Sequence, residues 1–378
     1  MKGYQFVHNL TARLLLAALF LIPILTGFAA PAAAAGGNPG VLYTLSNAAN
    51  GNEVLAYNRA ADGALSFQSA YATGGLGSGA GLGSQGALML SKNNRWLFAV
   101  NAGDNKISVF AVRPDGLILA DVVGSGGNHP ISLTVYEDTL YVLNAGGSGN
   151  ITGFSIAPVG KLSPIPGSTR PLSNGGIGAA PGPAQVSFSP DGATLVVTEK
   201  ASNLIDAYRV EDGVARALTT HPSAGATPFG FAFDKRGDLV VSEAFGGAPG
   251  QSALSSYAVK EGALEVISPS VGTTQTAACW VVITKNGKYA YTTNAGSGSI
   301  SSYHIGKDGS LSLLNAAAGL TGNGSSPIDM AFSNNNAFLY TLNAGAHTIS
   351  AFQVLPDGSL VSTGATGVMA GAVGLAAR

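Results

Sequence analysis

The chain has 378 residues, 46% hydrophobic and only 10% charged, with 19 Lys and Arg against 20 Asp and Glu. That balance carries no electrostatic footprint for nucleic acid, and the apolar content excludes an intrinsically disordered chain. Cys279 is the only cysteine, so no internal disulfide is available and stability must come from packing.

The first element is a targeting segment. Lys2 and Arg13 precede an apolar run from Leu14 to Ala30, and Ala33-Ala34-Ala35 supplies small residues for cleavage. Residues 1–35 are therefore predicted to be a secretory signal peptide. The competing interpretation is a retained anchor, because the run nears the ~17-residue lower limit for spanning a bilayer. Removal of this segment leaves 17 basic and 20 acidic residues, and predicts a secreted or periplasmic product with no membrane association.

From Val41 onward one pattern recurs. An aromatic or aliphatic doublet opens a short strand that ends in a small polar tripeptide, as in Leu42–Ala48, Leu97–Gly103 and Leu140–Gly146. It returns from Leu195, Leu239, Ala290 and Leu339, giving seven copies 43 to 55 residues apart. A period in this range predicts a propeller with one blade per repeat. Each repeat continues into an alternating strand such as Ile107–Val112, followed by a hairpin signal. The signals are Asp62-Gly63, Asp115-Gly116, Asp212-Gly213, Asp308-Gly309 and Asp357-Gly358, pairs that tolerate the positive φ of tight turns. Val159-Gly160 and Glu261-Gly262 hold the same place in the other two repeats. A weaker outer strand follows.

An inner strand precedes six of the doublets, as in Gln185–Phe188 or Trp280–Ile283, but none precedes the first. The missing copy lies at the far end, in Ala372–Ala377. Residues 36–378 are thus predicted to form an all-β, seven-bladed propeller of four-stranded antiparallel blades. The C-terminal strand pairs into blade 1, which removes exposed sheet edges.

Two rings of positions are expected near one mouth of the central channel. The first holds Asn47, Asn101, Asn144, Glu199, Glu243, Asn294 and Asn343, at the ends of the second strands. Asn in such turns has a purely structural explanation, because it tolerates left-handed backbone. Glu199 and Glu243 interrupt the Asn series, and two neighbouring carboxylates suit either a general base or a divalent cation; two solvated rim charges are the alternative. The second ring holds Gln85, His129, Gln185, Thr227, Cys279, Ser326 and Asp329. The glycine-rich stretch Gly74–Gly86 lacks the Lys and Ser/Thr of a phosphate loop and is expected to cover the mouth.

The fourth repeat, Gly182-Pro183-Ala184-Gln185 followed by Ser189-Pro190-Asp191-Gly192 and Glu199, resembles the lactonase-type seven-bladed propellers. These are the 6-phosphogluconolactonase and carboxymuconate-lactonizing proteins. The resemblance covers the repeats and implies lactone chemistry at the mouth. That family's blade carries Gly-Pro-Arg-His before the inner strand; here Ala184 and Gln185 replace Arg and His. The lost Arg would stabilise an oxyanion, worth about 2.7–4 kcal/mol, and the lost His would exchange protons near neutral pH. Under this reading the catalytic candidates are Glu199, His129 and Gln185, with Glu243, Asn144, Asn101 and Asn294 contacting a lactone or sugar acid. His129 has an alternative role as a cap before Pro130, and His221, His304 and His347 have structural positions. No cofactor is required, although a divalent cation could sit between Glu199 and Glu243. Two functions stay open: a monomeric hydrolase or lactonizing enzyme with a divergent site, or a non-catalytic propeller recognising an envelope carbohydrate or protein.

Overall fold

The computed structural model describes residues 39–378, so the predicted signal segment lies outside the described residues. Seven antiparallel sheets form the ring. In order from the inner to the outer strand, blade 2 is Leu88–Leu90, Trp96–Asn101, Lys106–Arg113 and Gly116–Gly124. Blade 4 is Pro183–Phe188, Thr194–Glu199, Leu204–Glu211 and Val214–Pro222. Blades 5, 6 and 7 repeat the arrangement from Pro228, Ala278 and Pro327. Blade 3 departs from it, because its outer strand is split into Leu162–Pro164 and Arg170–Pro171, both paired with Asn150–Ile156.

Blade 1 closes as expected. Val373–Ala377 pairs antiparallel with Gly40–Leu45 and becomes the blade's inner strand. Thr44 reinforces the seam by donating its hydroxyl to the carbonyls of Val373 and Gly374, the latter at 2.7 Å. Gly374 is required there: its φ is +72°, and a Cβ would lie 3.0 Å from Leu88.

The hairpin signals also serve as joints between blades. Gly63, Gly213 and Gly358 all have positive φ, and each carbonyl accepts a tyrosine hydroxyl from the second strand of the preceding blade. The donors are Tyr340 at 2.9 Å, Tyr141 at 3.0 Å and Tyr291 at 2.8 Å. These rings are buried among the largest core side chains. Each bond contributes roughly 1 kcal/mol, and together they lock the sheets in sequence around the ring.

Candidate functional site

The inner strand of each blade is an edge strand, and half of its N–H and C=O groups face the channel. Polar side chains from neighbouring blades bracket these groups. Gln185 accepts from the Phe231 N–H at 2.7 Å and donates to the Phe231 carbonyl at 3.0 Å, joining blade 4 to blade 5. Ser132 accepts from Val186 N–H at 3.2 Å. The carboxamide of Gln185, expected to polarise a substrate carbonyl, is thus engaged by protein backbone.

The mouth itself is filled. The stretch Gly74–Gly86 runs from the rim of blades 1 and 2, where the Gly79 N–H donates to the Asn47 carbonyl, to its end at Gln85, which reaches from blade 2 across to blade 6. Gln85 donates to the Val281 carbonyl at 2.8 Å and accepts from the Val281 N–H at 3.1 Å. The Trp280 indole donates to Ser84 carbonyl at 2.8 Å, Ser84 donates to the Ile131 carbonyl, and Ser132 donates to the Gln85 carbonyl at 2.6 Å. Lys200, seated 4.6 Å over the Phe229 ring, pins the segment by donating to Gly83 carbonyl at 2.6 Å. The glycines serve close backbone contact: a Cβ on Gly77 would meet the Asn47 carbonyl carbon at 2.1 Å. Nothing in a linear pattern separates glycines used for tight approach from those of an open loop.

Burial governs the remaining groups in and around this plug. It lowers the Lys200 ammonium pKa and pushes the Cys279 thiol up to about 12, which leaves Cys279 protonated and unreactive. Burial also lifts Asp329 to about 7, although the N–H groups of Met330, Gly86 and Leu375 favour its ionised form. One oxygen of Asp329 has no hydrogen-bond partner.

The seven second-strand ends are buried and engaged by protein groups. Asn101 accepts from Thr73 at 2.7 Å and Asn52 at 3.0 Å of blade 1, and donates to Ser108. Asn144 donates to the carbonyl of Ser125, which follows blade 2. Asn294 and Asn343 donate to serines of their own third strands. Asn47 holds the plug, bonding Ser78 and the Ala80 carbonyl.

Glu199 and Glu243 occupy the same seam position with 0% exposure. Glu199 accepts from the Ser173 N–H at 3.0 Å, the Ser173 hydroxyl at 2.5 Å and Ser202 at 2.6 Å. Glu243 accepts from Gly225 N–H at 2.8 Å and from Ser270, and burial raises its pKa. The two carboxylates therefore serve separate seams, blade 3 to 4 and blade 4 to 5. The structure does not bring them together at the mouth. Each accepts the N–H of the segment arriving from the preceding blade, a role that a carboxylate fills with more acceptor capacity than Asn.

His129 remains at the mouth, half-buried, with φ +56° before Pro130. Its N–H donates to Asn105 at 2.7 Å and its Nδ1 lies 3.3 Å from the Ala102 carbonyl. Thr227 repeats the backbone conformation in blade 5, with its N–H on Asn203, so His129 occupies a turn position that the fold uses elsewhere. His221 contacts Gly262 carbonyl at 3.0 Å, within an outer strand.

On the opposite face, where the inner strands of blades 2, 3 and 4 end, lies a cavity of about 670 Å³. Met89, Lys92, Thr134, Tyr136, Phe188 and Pro190 contribute to its wall. Tyr136 and Phe188 stand 5.8 Å apart between ring centroids. Sequence reasoning missed this site because it concentrated on the face that carries the Asn and Glu positions.

This ring of seven four-stranded sheets, closed by its own C-terminal strand, defines a β-propeller of the lactonase class. A family model for the lactonase seven-bladed β-propeller matches residues 37–171, 159–244 and 247–374, and the chain belongs to that family. No protein of curated function matches it in sequence. Among solved structures, it is similar to a putative 6-phosphogluconolactonase from Bacteroides fragilis, with TM-score 0.68 and 18% identity over 90% of this chain and 98% of that one. A periplasmic gluconolactonase from Pseudomonas aeruginosa gives TM-score 0.67 and 17% identity, covering 88% of this chain and 97% of that one. A Lactobacillus plantarum protein gives 0.71 and 17%, covering 90% and 99%.

Proposed function

We propose that this chain is an exported, non-catalytic member of the lactonase propellers that binds a cell-envelope carbohydrate. The observation that carries this reading is the span of Gln85 across the channel to Val281, at the mouth where the family resemblance would place a lactone. Two further points support it. The acid–base candidate Glu199 is fully buried and already accepts three hydrogen bonds from the protein, and Gln185 is held by Phe231. The open cavity on the other face pairs aromatic rings with Lys92 and Thr134, a combination suited to a sugar ring because aromatic faces pack on its apolar side while polar groups fix its hydroxyls.

A second reading, lactone hydrolysis, draws on family membership and on the half-buried imidazole of His129. A panel of sugar-acid lactones, assayed with purified wild type, His129→Ala and Glu199→Gln, separates the two. The binding reading predicts turnover equal to buffer for all three proteins. Hydrolysis by wild type that falls at least tenfold in His129→Ala would replace it with the enzymatic one.

A further inference from the structure

In blades 2, 6 and 7 the seam Asn donates to a serine seven residues on: Asn101 to Ser108 at 2.7 Å, Asn294 to Ser301 at 2.9 Å, and Asn343 to Ser350 at 2.8 Å. Blade 4 places Glu199 and Asp206 at these two positions. The register is the same: Asp206 opposes Val197 on the neighbouring strand, two residues from Glu199 and on its face of the sheet. Both carboxyl groups have 0% exposure. We propose that Asp206 is protonated and donates to the Glu199 carboxylate, and that this shared proton is a pH-sensitive latch holding the segment after blade 3 against blade 4.

The donor count fixes where the proton lies. Glu199 already accepts three hydrogen bonds, from Ser173 and Ser202, as an ionised carboxylate does. Among the described residues neither Asp206 oxygen has a donor in hydrogen-bond geometry: the nearby Ser173 N–H and Tyr208 hydroxyl, which favour its ionised form, are committed to Glu199 and the Pro171 carbonyl, and an ionised, unsolvated carboxylate in that state is strongly disfavoured. A protonated Asp206 resolves this, since its hydroxyl finds an acceptor in Glu199. Burial first, and the Glu199 carboxylate second, raise Asp206 from the ordinary 3.8 to about 9. The other groups facing the pair do not neutralise it. Tyr208 lies beside Asp206 but donates to Pro171 carbonyl at 2.8 Å, and its own pKa is raised well above normal by burial. Arg170, on the outer strand of blade 3, is directed to the carbonyls of Gly167, Thr169 and Arg216. His221, on the outer strand of blade 4, turns to Gly262.

The unfolded chain releases this proton near 3.8, whereas the folded chain keeps it to about 9. The latch is therefore fully effective below pH 4, loses stabilising effect as pH rises, and reaches its minimum once pH passes about 9. Above that point two buried charges oppose each other, and the Ser173 anchor is released.

Thermal unfolding from pH 5 to 10 tests this with wild type, Asp206→Asn and a Glu199→Asn/Asp206→Ser double variant that rebuilds the pair found in blades 2, 6 and 7. The expected result is a wild-type Tm that falls between pH 5 and 9 by several degrees more than either variant's and levels off above that. Parallel profiles for all three proteins would overturn the proposal. So would a calcium-induced rise in wild-type Tm at pH 10 that is absent from the double variant, because a cation and not a proton would then join the carboxylates. If Asp206→Asn fails to fold, the double variant decides alone.

Discussion

A chain lacking residues 371–378 is expected to be insoluble or to melt without cooperativity. The deleted strand supplies the inner edge of blade 1, and its loss leaves the inner edge of Gly40–Leu45 without a partner while its other edge stays paired with Glu53–Arg59. Val373 and Leu375 are buried, and each contributes about 1.5–3 kcal/mol through burial. The ladder, the mutual Val41–Arg378 backbone bonds and the Thr44 hydroxyl contacts are lost with them, at roughly 1 kcal/mol each. The sum approaches on the order of 10 kcal/mol, comparable with the whole stability of a typical folded protein. Solubility in the lysate and the sharpness of the calorimetric transition are the readouts; a soluble truncation with a cooperative melt would show that the ring closes without its tail.

The second large effect is expected at Gln85. Replacing it with alanine removes both bonds to Val281 and leaves a buried N–H and a buried carbonyl facing the channel. At about 1–3 kcal/mol for each unsatisfied group, the Gln85→Ala protein should lose on the order of 3–5 kcal/mol. For a folded ring of this size that corresponds to a fall in Tm on the order of 4–7 °C. The same change loosens Ser84, whose carbonyl accepts the Trp280 indole N–H, so tryptophan emission should shift to the red as water reaches that ring. Unchanged Tm and emission would mean that the segment is not anchored through Gln85.

The architecture was legible because each blade repeats the same chemistry. The Asp-Gly pairs announce their turns in any context, and the positive φ values at Gly63, Gly116, Gly213, Gly309 and Gly358 follow. The orphan strand at Ala372–Ala377 was legible by counting, since six inner strands cannot close seven blades. The split outer strand of blade 3 was not, because Leu162 to Pro171 holds three of the chain's prolines and no alternation to mark it.

The site was only half legible. The replacement of Asn by Glu at positions 199 and 243 is plain in the sequence, but its meaning depends on partners in the neighbouring blade, Ser173 and Gly225, that lie 26 and 18 residues away. Gln185 likewise meets Phe231 at a separation of 46 residues. Asp206 raised no signal, because a carboxylate in an alternating strand ordinarily faces solvent. The i, i+7 spacing from Asn to Ser in blades 2, 6 and 7 was the available clue: aligned on blade 4, it sets two acids side by side.

Amide exchange at Val281 reports whether the channel mouth is filled. The N–H of Val281 faces the channel and is bonded to Gln85 Oε1 at 3.1 Å. With the mouth filled, it should exchange as slowly as the amides of the buried second strands, and only through opening of the structure. Exchange at the rate of an exposed loop would mean that water reaches the channel wall there, that the mouth stands open, and that the argument against catalysis fails.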